Sequence, residues 1–487
     1  MSELEIAGRV VELVRRLGGP DAQAEAVVTR ADLALTRFAN SSIHQNVAES
    51  GVGVRLRLHV AGRTATGSGS VVTAEGLRAL VERTLAAARL CPPDPAWPGL
   101  APSGPTPAAP TVDEATADAD PDERAERVRA FVAAAGGLET AGYCRTAHRS
   151  SAFANSAGHT AQGRAVEAAM DGIARTGGAD GVARLCADRL ADLDGAELGA
   201  RAAARARAAV DPVELPPGRY EVVLEPAAVA DLLQNLAWYG FNGKRHAERQ
   251  SFVAPGTAQF DPAVTLVDDP LAGSGLPFDV EGTPRRALTL VEAGTTRAVA
   301  HDRRTAAEEG VASTGHASPG AAAWGPMARN LRLRPAARAG AGGGPAAATS
   351  ADAGADGATG PAGAATDGAT VGGVPAGVVD ADTAALVGRM RRGLLVSDLW
   401  YTRVLDPRSL VLTGLTRNGV WLVEDGVVTR AVRDLRFTES YPRALGPGAV
   451  LGLGRRAVRQ PDRVDGVWWE APPLRLASWN FTGGASG

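Results

Sequence analysis

A chain of 487 residues is long enough for two or three domains with cores of their own and too long for one small module. With 45% hydrophobic residues, 22% charged residues and a net charge of −3, its composition is that of a soluble globular protein, not a disordered or fibrous one, and gives no push toward nucleic acid. Lys244 is the only lysine among 51 basic residues, so the Arg content reads as a codon-usage skew, not as phosphate recognition. No run of about 18 apolar residues occurs, and Met1–Glu5 has neither a basic nor an apolar leader character. The expectation is a cytoplasmic protein that does not enter a membrane. Cys91, Cys144 and Cys186 are too few and too dispersed for a disulfide framework or a C-x-x-C metal clip, which predicts reduced thiols.

In chain order, Leu4, Ala7, Val10, Val14 and Leu17 keep the three-to-four spacing of an amphipathic helix that Gly18-Gly19-Pro20 ends. Val52, Val54, Leu56, Leu58 and Val60 alternate with Gly or polar residues, the period of a half-buried strand, and turn at Ala61-Gly62. Val72 to Leu90 returns to helical spacing, so the fold class is α+β. Residues 91–119 are Pro-rich and form a surface connection. Asp120, Pro121 and Glu123 make a capping-box-like helix start. Phe-Ala-Asn-Ser occurs at Phe38 to Ser41 and again at Phe153 to Ser156, which we read as chance repetition over internal duplication. An Ala/Arg helix ends near Val210, and Pro216-Pro217 followed by Tyr220 to Leu224 opens a second, strand-rich domain. The domains are predicted at 1–211 and 212–487. Residues 337–374, nearly all Ala, Gly, Asp, Thr and Pro, have too little apolar surface to offset ordering entropy and are predicted to be a disordered insert. Beyond it, Asp425-Gly426 between apolar runs predicts a tight hairpin.

Several stretches resemble the TldD/PmbA metallopeptidase family. They are Gly240-Phe241-Asn242-Gly243-Lys244 before Ser251-Phe252, Leu266 to Pro270, Ser313 to Ala317, Gly393 to Arg403, Leu412 to Gly419, and Asn480-Phe481. The resemblance runs from the first helix to Phe481, the insert apart. In the TldD branch, a helix after a strand like Tyr220 to Leu224 carries His-Glu-x-x-x-His, and a later Cys completes a zinc site. Here the helix reads Gln234-Asn235-Leu236-Ala237-Trp238-Tyr239, so Gln234 and Tyr239 stand at the His positions and Asn235 at the general base, and no Cys follows Cys186. An amide and a neutral phenol are poor zinc donors, and Asn has no basic lone pair to activate water.

The resemblance therefore implies the TldE (PmbA-like) branch: no metal or cofactor on this chain, and a TldD-like partner that carries the zinc. The pair would enclose a chamber admitting unfolded or extended peptides. Such a peptide can add to a sheet edge, with main-chain bonds giving affinity that tolerates any sequence. The expected edge is Leu394 to Arg403, and the expected lining residues are Lys244, Trp400, Tyr401 and Arg403, with a buried core strand as the alternative for that segment. A catalytically silent homodimer that binds peptide is the second functional reading. Direct nucleic-acid contact, suggested by the family's description as gyrase modulators, is disfavoured by the charge.

Other constellations read as structural. The pairs His148/His159 and His301/His316 lack zinc spacing. Asp268-Asp269 before Pro270 reads as a turn and not as a carboxylate dyad. Ser313-Thr314-Gly315-His316 puts hydroxyls near an imidazole, but a nucleophile also needs a third, orienting group. For Lys244, an ordinary solvated turn is the plainer reading.

Overall fold

The computed structural model describes residues 1–273, 275–336, 370–371, 374–375, 377–462 and 466–484. The predicted insert at 337–374 thus lies almost wholly outside the described residues.

Helix α1 (Glu3–Gly18) starts at a capping box in which Ser2 and Glu5 satisfy each other's backbone donors, and it buries Ile6, Ala7, Val10 and Val14. Strands β1 (Gln23–Ala39), β2 (Ser42–Val60) and β3 (Arg63–Gly69) follow, then α2 (Ala74–Leu90), capped by Thr73. After the Pro-rich connection and the single turn α3 (Glu114–Ala117), α4 (Pro121–Ala134) begins at the expected Asp120/Glu123 capping box. Strands β4 (Glu139–Asn155), β5 (Thr160–Thr176) and β6 (Ala179–Ala187) and helix α5 (Gly195–Ala208) complete the unit.

The six strands form one antiparallel sheet in the order β3-β2-β1-β4-β5-β6. That order, with α1 and α2 flanking the first three strands in sequence and α4 and α5 the second three, is an αβββα unit used twice. The Phe-Ala-Asn-Ser tetrapeptides fall at matching places, each closing the first strand of its unit, with Phe38 and Phe153 both buried. This corrects the chance reading: four residues are too short a signal by themselves, whereas the topology repeats over the whole domain.

The second region opens with β7 (Gly218–Leu224) and α6 (Pro226–Asn235), which runs into a π turn at Leu236–Gly240. Helix α7 (Gly243–Ala247), strands β8 (Leu266–Asp268), β9 (Leu288–Glu292) and β10 (Thr295–Thr296), helices α8 (Arg303–Glu309) and α9 (Ala321–Trp324), and strand β11 (Asn330–Leu333) come next. The pair β12 (Thr370–Val371) and β13 (Val374–Pro375) and helix α10 (Ala381–Val387) precede the long strands β14 (Arg392–Asp406) and β15 (Val411–Glu424). Then come β16 (Val427–Ala431), β17 (Leu435–Ser440), α11 (Tyr441–Ala444), β18 (Val450–Leu453), β19 (Val458–Pro461), β20 (Trp468–Ala471) and β21 (Leu474–Gly484). The predicted hairpin is present between β15 and β16, with Asp425 and Gly426 at φ 50° and 78°, as a type I′ turn requires.

Five of these strands close on themselves: β14 pairs with β7, β7 with β21, β21 with β17, β17 with β15, and β15 with β14. Closure leaves no edge along the paired segments. Val222, Leu224, Leu394, Val396, Leu412, Phe437, Trp479 and Phe481 share one buried core with Leu232 and Leu236 of the α6 segment. The second sheet, β10-β9-β8-β11-β20-β19, packs against α6 through β11, β19 and β20. Helix α6 thus lies between ring and sheet, which fixes the site it carries.

Candidate functional site at the end of helix α6

In a π turn the bonding interval is i to i+5, as in the 2.8 Å bond from Phe241 N to Leu236 O. The same interval separates Gln234 from Tyr239. Gln234 Nε2 donates to Asp462 Oδ2 at 2.9 Å, and Trp469 Nε1 donates to the same oxygen at 3.1 Å. The backbone carbonyl of Asp462 accepts from Arg145 of β4 at 3.0 Å, and Arg145 pairs with buried Glu167 of β5 at 2.7 Å. Glu167 also accepts from Gly466 N at 3.0 Å. Burial raises the Glu167 carboxyl from its usual range, with Arg145 and the Gly466 amide working against that shift. The end of α6 is therefore tied through the loop at Asp462 to the repeated sheet.

Asn235 faces the other way. Its Nδ2 donates to Asp231 O at 2.8 Å and to Asp231 Oδ1 at 3.2 Å. Asp231 also accepts from Tyr441 OH at 2.9 Å and Thr402 Oγ1 at 2.8 Å. Burial pushes its carboxyl up to about 6 against these donors. Tyr239 lies under the Arg245 guanidinium, 5.9 Å from its ring centre. The side chains of Gln234, Asn235 and Tyr239 are thus two amides and a phenol, and the acid beside them, Asp462, is already bonded to Gln234. That donor set does not suit zinc. Among the described residues, no group of three His, Cys, Asp or Glu side chains converges as a metal site would require.

The structure separates the expected lining residues. Lys244 Nζ donates to the carbonyls of Ala322 at 2.8 Å and Ala323 at 3.2 Å, holding α9 in place. This is a positioning task that its single ammonium performs on backbone oxygens. Trp400, Tyr401 and Arg403 sit together on the outer half of β14, where Arg417 stacks on Trp400 at 4.8 Å and Arg403 on Tyr401 at 4.2 Å. The edge expectation for Leu394 to Arg403 needs correction. Leu394 to Val396 are bonded to β7 on one side and β15 on the other, so they are interior. From Asp398 onward β14 pairs with β15 alone, and three register breaks, with Tyr401 at φ 54°, interrupt that ladder. Bulges of this kind blunt an edge against strand addition.

The segment at Ser313 to His316 acquires the third group that sequence could not show. Thr314 Oγ1 lies 2.8 Å from His316 Nδ1, and His316 Nε2 lies 2.9 Å from Asp268 Oδ2. Burial opposes ionisation of Asp268, but the His316 hydrogen bond and the charges of His316 and Arg285 outweigh it, and the carboxyl is held below its usual range. Thr314 Oγ1 also accepts from His301 N at 2.7 Å and does not line the cavity beside His316, so the trio braces two loops. Asp269 instead pairs with Arg332 at 3.6 Å, so the adjacent carboxylates point apart as the turn reading expects. Of the residues that matter here, Asp231 was within reach of helical spacing, three positions before Gln234. Asp462 was not, since it is 228 positions away with no local pattern.

Residues 217–342 match the family model described as the PmbA/TldA metallopeptidase C-terminal domain, a match that ends where the Ala/Gly-rich stretch begins. Among solved structures, TldE from Thermococcus kodakarensis superposes with a TM-score of 0.78 at 18% identity, covering 97% of this chain and 100% of that one. A protein from Thermotoga maritima, described as a candidate modulator of a DNA gyrase, gives 0.76 at 17% identity, covering 98% and 99%. A similarly described protein from Bacteroides thetaiotaomicron gives 0.75 at 16%, covering 98% of each chain. No curated protein sequence matches the chain. The family-model match is confined to residues 217–342, the stretch that carries α6. From its first helix to its last strand the chain has the fold of the TldE structure. Among the described residues no helix is long and apolar enough to cross a membrane.

Proposed function

We propose that this chain is the non-metal subunit of a TldD/TldE-type peptidase, working with a partner that carries the His-Glu-x-x-x-His zinc motif and acting on unfolded or extended peptides. One observation carries the reading. At the end of α6, where the TldD branch would hold zinc and a general base, Gln234, Asn235 and Tyr239 are engaged with Asp462, Asp231 and Arg245. Converting this network to a metal site would need imidazole or thiolate donors that it lacks. The aromatic and guanidinium pairs on the outer half of β14 suit a protein contact, because aromatics and Arg dominate interface energetics. In this reading the exposed hairpin faces the partner or the peptide path.

Expression of the chain alone, and together with the TldD-like protein of the same genome, tests the proposal. Bound zinc and cleavage of an unfolded peptide are expected only in the co-purified complex. Stoichiometric zinc and cleavage by the chain alone would defeat the reading. Failure to associate with any zinc-bearing partner, with self-association instead, would favour a silent peptide-binding homodimer.

A further inference from the structure

A second polar site lies apart from Gln234 and Asn235, in the seam between the repeated sheet and the loops of the α6 region. The cavity there has a volume of about 210 Å³. A single water needs only about 10–15 Å³ on such a measure, so a ligand of side-chain size fits. One part of its wall is apolar, from Val27, Leu276, Phe278 and Val280. Another part carries three guanidiniums, Arg149 on β4, Arg285 and Arg329.

Arg285 is nearly buried and is held at one end only. It donates to Asn330 Oδ1 at 3.3 Å and lies 3.7 Å from Asp268 Oδ2, while its Nε has no partner among the described residues. Arg329 is less well satisfied. Its Nε is buried without a partner, and among the described residues no carboxylate pairs with it. Burial, then the positive charges of Arg285 and Arg149, pull its pKa down to about 10 against the charges of Asp462 and Asp268. Among the described residues, the acids nearby are already committed. Asp268 accepts from His316 and from Asn330 N at 2.7 Å, and Asp462 accepts from Gln234 and Trp469. Asp279, which also lines the cavity, accepts from the backbone amides of Glu281, Thr283 and Ala317, each at 2.9 Å. Guanidiniums crowded together, with the buried Nε donors of Arg285 and Arg329 unmet, are costly unless an anion joins them.

We infer that this cavity is an anion site for a carboxylate borne on a short apolar body, such as the last residue of a peptide with a free C-terminus or a free N-acylated amino acid. The forks of Arg285 and Arg329 match the planar geometry of a carboxylate and can bind it in pairs of charge-assisted bonds. Phe278, Leu276 and the two valines receive the attached side chain. The inference concerns binding to this chain alone and stands whether or not a zinc-bearing partner exists.

Calorimetric titration of the full chain tests it with four probes: N-acetyl-leucine, N-acetyl-leucinamide, inorganic phosphate, and the tripeptide Ala-Ala-Leu. The acid should bind and the amide should bind at least about tenfold more weakly, because the amide forfeits the charge-assisted pair. Arg329→Gln should weaken the acid by a similar factor while leaving the melting temperature equal or higher, since it removes a crowded charge. Arg329→Lys, which keeps the charge and loses the fork, should recover only part of the affinity. Tighter binding of Ala-Ala-Leu than of N-acetyl-leucine assigns the site to a peptide terminus, and the reverse order assigns it to a free small acid. Equal binding of acid and amide, no binding of either, unchanged affinity in folded Arg329→Gln, or phosphate binding as tightly as N-acetyl-leucine would each overturn the assignment.

Discussion

The two αβββα units of the N-terminal region have one topology and two ways of being packed. In the first, α1 and α2 meet the sheet through Ile6, Val10, Val14, Leu77, Leu80 and Val81, facing Val54, Leu56 and Leu58. In the second, Phe38, Val128, Phe131, Met170 and Leu198 pack with Ala202 and Ala206 of α5, and α5 comes close enough that glycine is obligatory. A Cβ at Gly199 would stand 2.2 Å from Phe131 O, one at Gly195 2.0 Å from Arg127 O, and one at Gly181 on β6 2.1 Å from Ala202 O. Side-chain burial holds the first pair of helices, and the second adds to burial a close backbone approach at Gly181, Gly195 and Gly199. The units also meet the rest of the molecule differently. In the first, Arg57 lies between two acids, Glu25 at 2.5 Å and Glu281 at 2.7 Å. In the second, Arg145 is matched one-to-one with Glu167. A repeated fold therefore does not imply repeated tolerance to change.

The largest effect should come from breaking the matched pair. Arg145→Met leaves Glu167 buried without a counter-charge and should cost about 3–5 kcal/mol in denaturant unfolding; a loss below about 1 kcal/mol would show that Glu167 is not held as described.

Next is the unmatched pair, through pH. Burial first, and then Glu281, raise the Glu25 carboxyl from 4.5 to about 7, with Arg57 opposing. Its folded pKa lies above the unfolded one, so the folded state holds the proton more tightly. Stability is therefore greatest below about pH 4.5 as far as this group is concerned, and it falls as pH rises toward 7. The full span corresponds to about 3 kcal/mol. Glu25→Gln should flatten the stability profile across that window, and an unchanged slope would remove Glu25 as its source.

Packing gives smaller effects. Gly199→Ala should destabilise by about 1–3 kcal/mol, because the contact is with backbone that cannot step aside. Gly8→Ala on α1, where an added Cβ meets nothing within 4 Å, should stabilise by about 0.5–1 kcal/mol. Equal effects at the two glycines, read from unfolding midpoints, would dissolve the packing contrast.

Local signals in the sequence were dependable where chemistry is local. The Asp120/Glu123 capping box, the period-two alternation at Val54, Leu56 and Leu58, and the Asp425-Gly426 turn all appear as expected, because each is decided within a few residues. The end of α6 was legible only as a list of residue types. What Gln234 does there depends on Asp462, brought in by ring closure, and no spacing announces that. The same holds for β14, where apolar Leu394 to Val396 and exposed Trp400 and Tyr401 form one strand whose two halves have different neighbours. Arg285 and Arg329 could not be singled out among so many arginines, since only folding sets them beside one cavity.

The closed ring has a consequence for the order in which the molecule can be made. Strand β7, near the middle of the chain, is bonded to β14 and to β21, and β21 supplies residues 474–484. The strand pairing of the repeated sheet involves nothing later than β6 and can form while the rest is still being synthesised, although buried charges such as Arg57 and Glu167 gain partners at Glu281 and Gly466 only afterwards. The ring cannot close until β21 has left the ribosome. Once β14 has emerged it can cover one side of β7, but until β21 follows, the other side of Val222, Val223 and Leu224 stays unpaired, so the nascent ring waits on β21.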